Sequence, residues 1–117
     1  MERFGKGIRY HEAIRHNGIL YLSGVTATDA GDTIRTQARS VLAKIEDMLN
    51  KYGSSKDCIL HADIYLRDSR DVGAFNEEWD RWICREMSPT RALIVTKLGR
   101  ESIWVEIVVT AAYDDRI

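Results

Sequence analysis

Proline and cysteine are nearly missing from this chain. Pro89 is the only proline, and Cys58 and Cys84 are the only cysteines, in 117 residues. Two cysteines so far apart lack the paired spacing of a metal site and read as free thiols rather than a disulfide. No apolar run approaches the roughly 20 residues of a membrane span. The opening Met1-Glu2-Arg3-Phe4-Gly5-Lys6 carries no apolar signal-peptide core, so a cytoplasmic location is expected. Neither sign of charge is in excess. With a net charge of −1, no global field draws the chain to nucleic acid or to an anionic membrane. A Gly-rich phosphate loop, a Ser-His-acid pattern and a zinc motif are all missing, so no cofactor or metal is implied. His11, His16 and His61 show no metal spacing and read as ordinary polar histidines.

What is present reads as one soluble domain over residues 1–117. The hydrophobic fraction of 44% and charged fraction of 30% suit a single packed core of that length. Repeats, linkers and low-complexity tracts are lacking. Asn17-Gly18 between Ala13-Ile14-Arg15-His16 and Ile19-Leu20-Tyr21-Leu22-Ser23 predicts a β-hairpin, because both turn residues tolerate positive φ. A loop over 24–31 follows. Asp32 is expected to cap a helix whose apolar stripe is Ile34, Ala38, Val41, Leu42, Ile45, Met48, Leu49 and Tyr52, with Gly53 ending it. A strand over 58–66 places Leu60, Ala62, Ile64 and Leu66 on one face. A second helix over about 70–85 buries Val72, Phe75, Trp79, Trp82 and Ile83. Pro89 disfavours helix at Ser88 and breaks the chain there. Strands over about 91–97 and 103–112 follow, joined by a short turn around Gly99.

The order β-β-α-β-α-β-β predicts an α+β sandwich, with two helices on one face of a mostly antiparallel sheet. In the last strand Val105, Ile107, Val109 and Ala111 can pack on the helices. Trp104, Glu106, Val108, Thr110 and Ala112 face the other way and are still largely apolar. Two helices cover only one face, so an oligomer is expected to bury the other.

Two charges stand out in these strands. Arg91 follows Pro89-Thr90 and opens the apolar run Ala92-Leu93-Ile94-Val95. Its guanidinium stays charged and offers a rigid fork of donors suited to a carboxylate. Glu106 lies inside the last strand. If the two final strands form a hairpin with an even-numbered turn, Arg91 and Glu106 share a face. They are then either a structural ion pair at a subunit contact or an anion-gripping arginine with a carboxylate nearby for proton transfer. Asn76 reads as a surface residue and Tyr10 as packing. The aromatic residues fall at core spacings rather than as a base-stacking platform.

Taken together, Tyr10-His11-Glu12-Ala13-Ile14, Leu22-Ser23-Gly24, Ala62-Asp63-Ile64-Tyr65-Leu66-Arg67-Asp68, Phe75-Asn76-Glu77-Glu78-Trp79, Pro89-Thr90-Arg91 and Val105-Glu106-Ile107 resemble the RidA/YjgF family of reactive-intermediate (enamine/imine) deaminases. The resemblance spans about 8–112 and is nearest to the shorter YoaB-like members. It implies a chorismate-mutase-like fold, assembled as a homotrimer with clefts between subunits. It implies hydrolysis of small 2-imino acids, with Arg91 on the substrate carboxylate and Glu106 positioning water and moving protons. Tyr10, Ser23, Gly24 and Asn76 would complete substrate binding. The alternatives on the same fold are a non-catalytic carboxylate-binding protein and a ribonuclease or translation inhibitor. Leu93 replaces a cysteine found in many deaminases of that family. The 25–31 loop is shorter than usual, and His11-Glu12 replace a Ser-Gln pair. These departures bear on the substrate rather than on the fold.

Overall fold

The computed structural model describes residues 1–114. Six strands form one sheet: β1 (Glu2–Lys6), β2 (His11–His16), β3 (Ile19–Leu22), β4 (Ile59–Leu66), β5 (Thr90–Val95) and β6 (Val105–Ala112). Two helices, α1 (Ile34–Lys51) and α2 (Val72–Trp82), pack on it. The α+β expectation holds, with one strand added at the N-terminus. β1 pairs antiparallel with β2 through Phe4↔Ala13. Its Met-Glu-Arg-Phe-Gly-Lys segment carries no alternating apolar pattern, because Phe4 alone reaches the core, stacked on Tyr52.

The β2–β3 hairpin turns at Asn17 and Gly18, with φ of 52° and 81°, as the Asn-Gly pair predicts. α1 begins one residue later than expected. Thr33, not Asp32, is the cap, its Oγ1 accepting a hydrogen bond from Thr36 N–H at 3.1 Å. Gly53, at φ 83°, lets Ser54 N–H reach back to Leu49 O at 2.9 Å. Ile34, Ala38, Val41, Leu42, Ile45, Leu49 and Tyr52 are buried, as the stripe predicts. α2 is shorter at both ends than expected, and it buries Phe75 and Trp79. β4 carries a bulge between Ile59 and His61. The bulge shifts the alternation, so Ile59 is buried and Leu60 is 46% exposed.

The sheet order is β1-β2-β3-β6-β4-β5, and this corrects one expectation. β5 and β6 are not a hairpin. β4 lies between them, antiparallel to β6 and parallel to β5. The short connection between β5 and β6 therefore crosses β4, and the parity of that turn says nothing about shared faces. The registers do. One row runs Arg91↔Ala62↔Val109 and another runs Ile94↔Tyr65↔Glu106. Ala62 and Val109 are core residues under the helices. Arg91 is thus on the helix side, and Glu106 is on the other side.

The core lies between sheet and helices, where Val105, Ile107, Val109 and Ala111 are all buried. The opposite face, with Ile14, Tyr21, Thr110, Val108, Tyr65 and Ile94 in register, has no helix over it. Tyr21 and Ile94 on that face are 48% and 38% exposed. Cys58 and Cys84 are free thiols. No helix among the described residues is long and apolar enough to cross a membrane.

Candidate active site

Glu106 sits near the end of β6 where the chain leaving β3 passes over it. Val25 N–H donates to Ile107 O at 2.9 Å, and Ile107 N–H donates to Val25 O at 3.1 Å. This two-way bridge brings Ser23 and Gly24 against the neighbouring Glu106 side chain. A methyl group at Gly24 would run into Glu106 Oε2, so only glycine lets the carboxylate lie against that backbone. Ser23 is anchored twice to β2, with its Oγ donating to His11 O at 2.7 Å and its N–H to Glu12 O at 3.0 Å. A cavity of about 530 Å³ opens here. It is lined by Tyr10, Ser23, Gly24, Thr26, Thr28, Arg100, Ile103 and Glu106. A second hollow of about 470 Å³ adjoins it through Tyr10, Ser23, Gly24 and Thr26, and Glu12 lines it. Glu12 accepts a hydrogen bond from Tyr52 Oη at 2.5 Å, and the burial of Tyr52 pushes that phenol above its ordinary pKa.

Tyr10 is therefore not packing. It is 68% exposed at the mouth of both hollows. Four of the expected site residues, Tyr10, Ser23, Gly24 and Glu106, are gathered at one place.

Arg91 and Asn76 are gathered at another. They share a cavity of about 370 Å³ with Trp79, Asp80, Ile83, Arg85 and Ser88. The Arg91 guanidinium lies 5.4 Å from the Trp79 ring centroid, a cation–π contact that steadies it without using its hydrogen-bond donors. Asn76 is not a plain surface residue. Its Oδ1 is buried with no hydrogen-bond partner, an acceptor held at the wall of this cavity. Thr90, next to Arg91, is fixed by β4. Thr90 Oγ1 donates to Leu60 O at 3.0 Å and lies 2.7 Å from His61 Nδ1, while His61 Nε2 lies 2.9 Å from Asp63 Oδ1. His61 is thus a structural tie across the β4–β5 edge. Sequence reading missed Trp79 as the shelf for Arg91, and it missed Arg100. The cluster of cations around Gly99 was the available signal for the second.

Within one chain Arg91 and Glu106 do not meet. Neither side chain has a hydrogen bond or ion pair among the described residues. An ion pair between them inside the chain is excluded by their faces. The chain holds a carboxylate with polar neighbours and open space at one place. It holds a guanidinium with a buried acceptor and open space at another.

A protein-family model described as Endoribonuclease L-PSP matches residues 2–113. The chain belongs to this family. Among L-PSP relatives, the RutC family protein YoaB of Escherichia coli is 36% identical over 104 residues, covering 89% of this chain and 90% of YoaB. A RutC family protein of Haemophilus ducreyi is also 36% identical, covering 89% of both chains. The crystal structure of a YjgF-family protein from Neisseria meningitidis superposes with a TM-score of 0.93 at 39% identity, covering 97% of this chain and 95% of that one. A Rid-family protein of unknown function from Yersinia pestis superposes at 0.81 with 31% identity, covering 92% and 90%. The L-PSP fold is therefore the fold of this chain, and the resemblance to YjgF and YoaB-like proteins stands.

Proposed function

We propose that this protein hydrolyses small reactive 2-imino and enamine acids, of the 2-iminopropanoate and 2-iminobutanoate type, to 2-keto acids and ammonia. The reaction would take place in a cleft between copies of the chain. The observation that carries this reading is that Arg91 and Glu106 make no side-chain hydrogen bond or ion pair among the described residues and lie on opposite faces of one sheet. A small ligand that uses both must take the arginine from one copy and the glutamate from another. Two further features support assembly. β5 is an edge strand whose Ile94 and Val95 are 38% and 45% exposed, and the helix-free face of the sheet leaves Tyr21 and Ile94 open beside His61, Asp63 and Glu106. A homotrimer closes such an arrangement with equivalent contacts.

The chemistry follows from the residues. The Arg91 fork holds the substrate carboxylate and so places the adjacent C=N carbon. Water held by Glu106 adds to that carbon, with Glu106 taking its proton. Glu106 passes that proton to the imine nitrogen, giving a carbinolamine; the proton of the new hydroxyl then moves by way of Glu106 to the same nitrogen, the C–N bond breaks, and ammonia leaves as the carbonyl forms. Tyr10 and the Ser23–Gly24 backbone line the place where the water and the departing nitrogen would sit. The imine is already electrophilic, so positioning and proton transfer are the work left to the protein.

The test is ammonia release from 2-iminopropanoate generated in situ. Wild-type protein accelerates it over buffer, and Arg91→Ala lowers kcat/KM by about 100-fold or more while the fold is retained. A wild-type rate equal to buffer would overturn the reading. Carboxylate binding that depends on Arg91 without turnover would instead mark a binding protein.

A further inference from the structure

Beside Glu106 the structure carries a group of cations that the reaction above does not use. Arg100 and Ile103 line the Glu106 cavity and also a neighbouring cavity of about 560 Å³, whose other walls are Arg67, Lys97, Leu98, Gly99 and Glu101. Three cations and one carboxylate, Glu101, thus line an annexe that adjoins the site through Arg100 and Ile103. None of the three is in an ion pair among the described residues.

This annexe is built rather than incidental. The Arg67 guanidinium lies 3.6 Å from the centroid of the Trp104 ring, which leaves its edge donors free for an anion. Arg67 N–H donates to Trp104 O at 3.1 Å. Gln37, 2% exposed on α1, pins the cationic loop from below. Its Oε1 accepts from Trp104 N–H at 3.1 Å, and its Nε2 donates to Ser102 O at 3.1 Å. The same Nε2 donates to Gly31 O at 3.2 Å, at the end of the loop that carries Thr26 and Thr28 on the opposite wall. One buried amide thus ties both walls of the cavity together. Ile103 N–H closes the turn onto Arg100 O at 3.1 Å, so Arg100 starts a formed turn.

We propose that Arg100, backed by Arg67 and Lys97, is a subsite for a second anionic group. The protein would then favour 2-imino acids that carry a distal carboxylate over those with a neutral side chain. This rests on the deaminase reading and specifies its substrate. With the C=N carbon at Glu106, the α-carboxylate belongs to Arg91 and the side chain extends into the annexe. An unpartnered cation there attracts a carboxylate and gives a methyl group nothing.

The experiment compares 2-iminopropanoate with 2-iminoglutarate, each generated in situ by oxidation of the parent amino acid. Wild type, Arg100→Ala, Arg100→Gln and Arg100→Lys are assayed. The ratio of kcat/KM for the diacid to that for the monoacid falls about tenfold in the alanine and glutamine variants, and lysine restores most of it. A ratio that does not change, with both rates untouched or both lowered together, overturns the subsite; the second pattern would mean that Arg100 only tunes Glu106. If wild type hydrolyses neither imine, the deaminase reading fails and calorimetry decides the subsite alone. Tighter binding of 2-oxoglutarate than of 2-oxobutanoate, lost in Arg100→Ala, supports it. Equal binding of the two overturns it.

Discussion

Glu78 and Glu106 are both carboxylates set among packed side chains, and their surroundings differ completely. Glu78 lies between the two helices with its side chain 3% exposed. Arg39 Nε donates to it at 2.7 Å, Arg35 Nη1 at 3.1 Å and Arg81 Nη1 at 2.9 Å. The Arg39 hydrogen bond, then that of Arg35, holds its carboxyl down from an ordinary 4.5 to about 2. Glu106 has open space, Gly24 against its tip, and no cation bonded to it among the described residues. The arginines differ in the same way. Arg35 and Arg39 are spent on Glu78, whereas Arg91 rests on Trp79 with its side-chain donors unused among the described residues. A charge satisfied within its own chain is a fastener between elements. A charge left open beside a cavity keeps its donors or acceptors available to a ligand or to another copy.

The sharpest way to test that contrast is Glu106→Gln. It keeps the shape and removes the base, so kcat falls about 100-fold or more while carboxylate binding persists. Steady-state ammonia release with parallel calorimetry checks this. Mixing comes next. Arg91→Ala and Glu106→Gln proteins, each inactive, are unfolded together and refolded. If each site draws Arg91 and Glu106 from different copies, random assortment leaves about one quarter of the sites intact and returns about that share of activity. No recovery would break the intersubunit reading. Gly24→Ala is milder. The new methyl displaces the flexible end of Glu106 rather than backbone, so thermal stability holds while kcat/KM drops about tenfold through the misplaced carboxylate.

The smallest effect on activity is at Glu78. Glu78→Gln leaves the turnover of folded protein unchanged and acts on stability alone. Because the folded pKa is depressed, the wild-type contribution is complete above 4.5 and is lost as pH falls from 4.5 toward 2. Thermal melts across that window should show a steeper decline in wild type than in the variant, which starts from a lower Tm at neutral pH.

Much of this was legible in the residues. The Asn17-Gly18 turn, the α1 stripe and the alternation of β6 each follow from local rules that depend on a few neighbouring residues. The motif order around Tyr10, Ser23, Gly24, Asn76, Arg91 and Glu106 pointed to the right family. The misses share a cause. β1 has one inward residue and so no pattern. The bulge at Leu60 is an extra residue within β4, set by its pairing with β6. Glu78 reads as a solvated helix residue until Arg35 and Arg39 arrive from another helix.

The sequence by itself determined the elements, their apolar faces, and which charges are chemically notable. That information is local, carried by side-chain period and turn chemistry. Only the tertiary structure decided where those charges stand. Placing β4 between β5 and β6 is a long-range pairing, and it sends Arg91 and Glu106 to opposite faces of the sheet. Strand order has no signature in neighbouring residues, because it depends on which edges meet after the helices have crossed over. Gly24 beneath Glu106, Trp79 beneath Arg91 and Gln37 behind the cationic loop are likewise contacts between segments far apart in the chain.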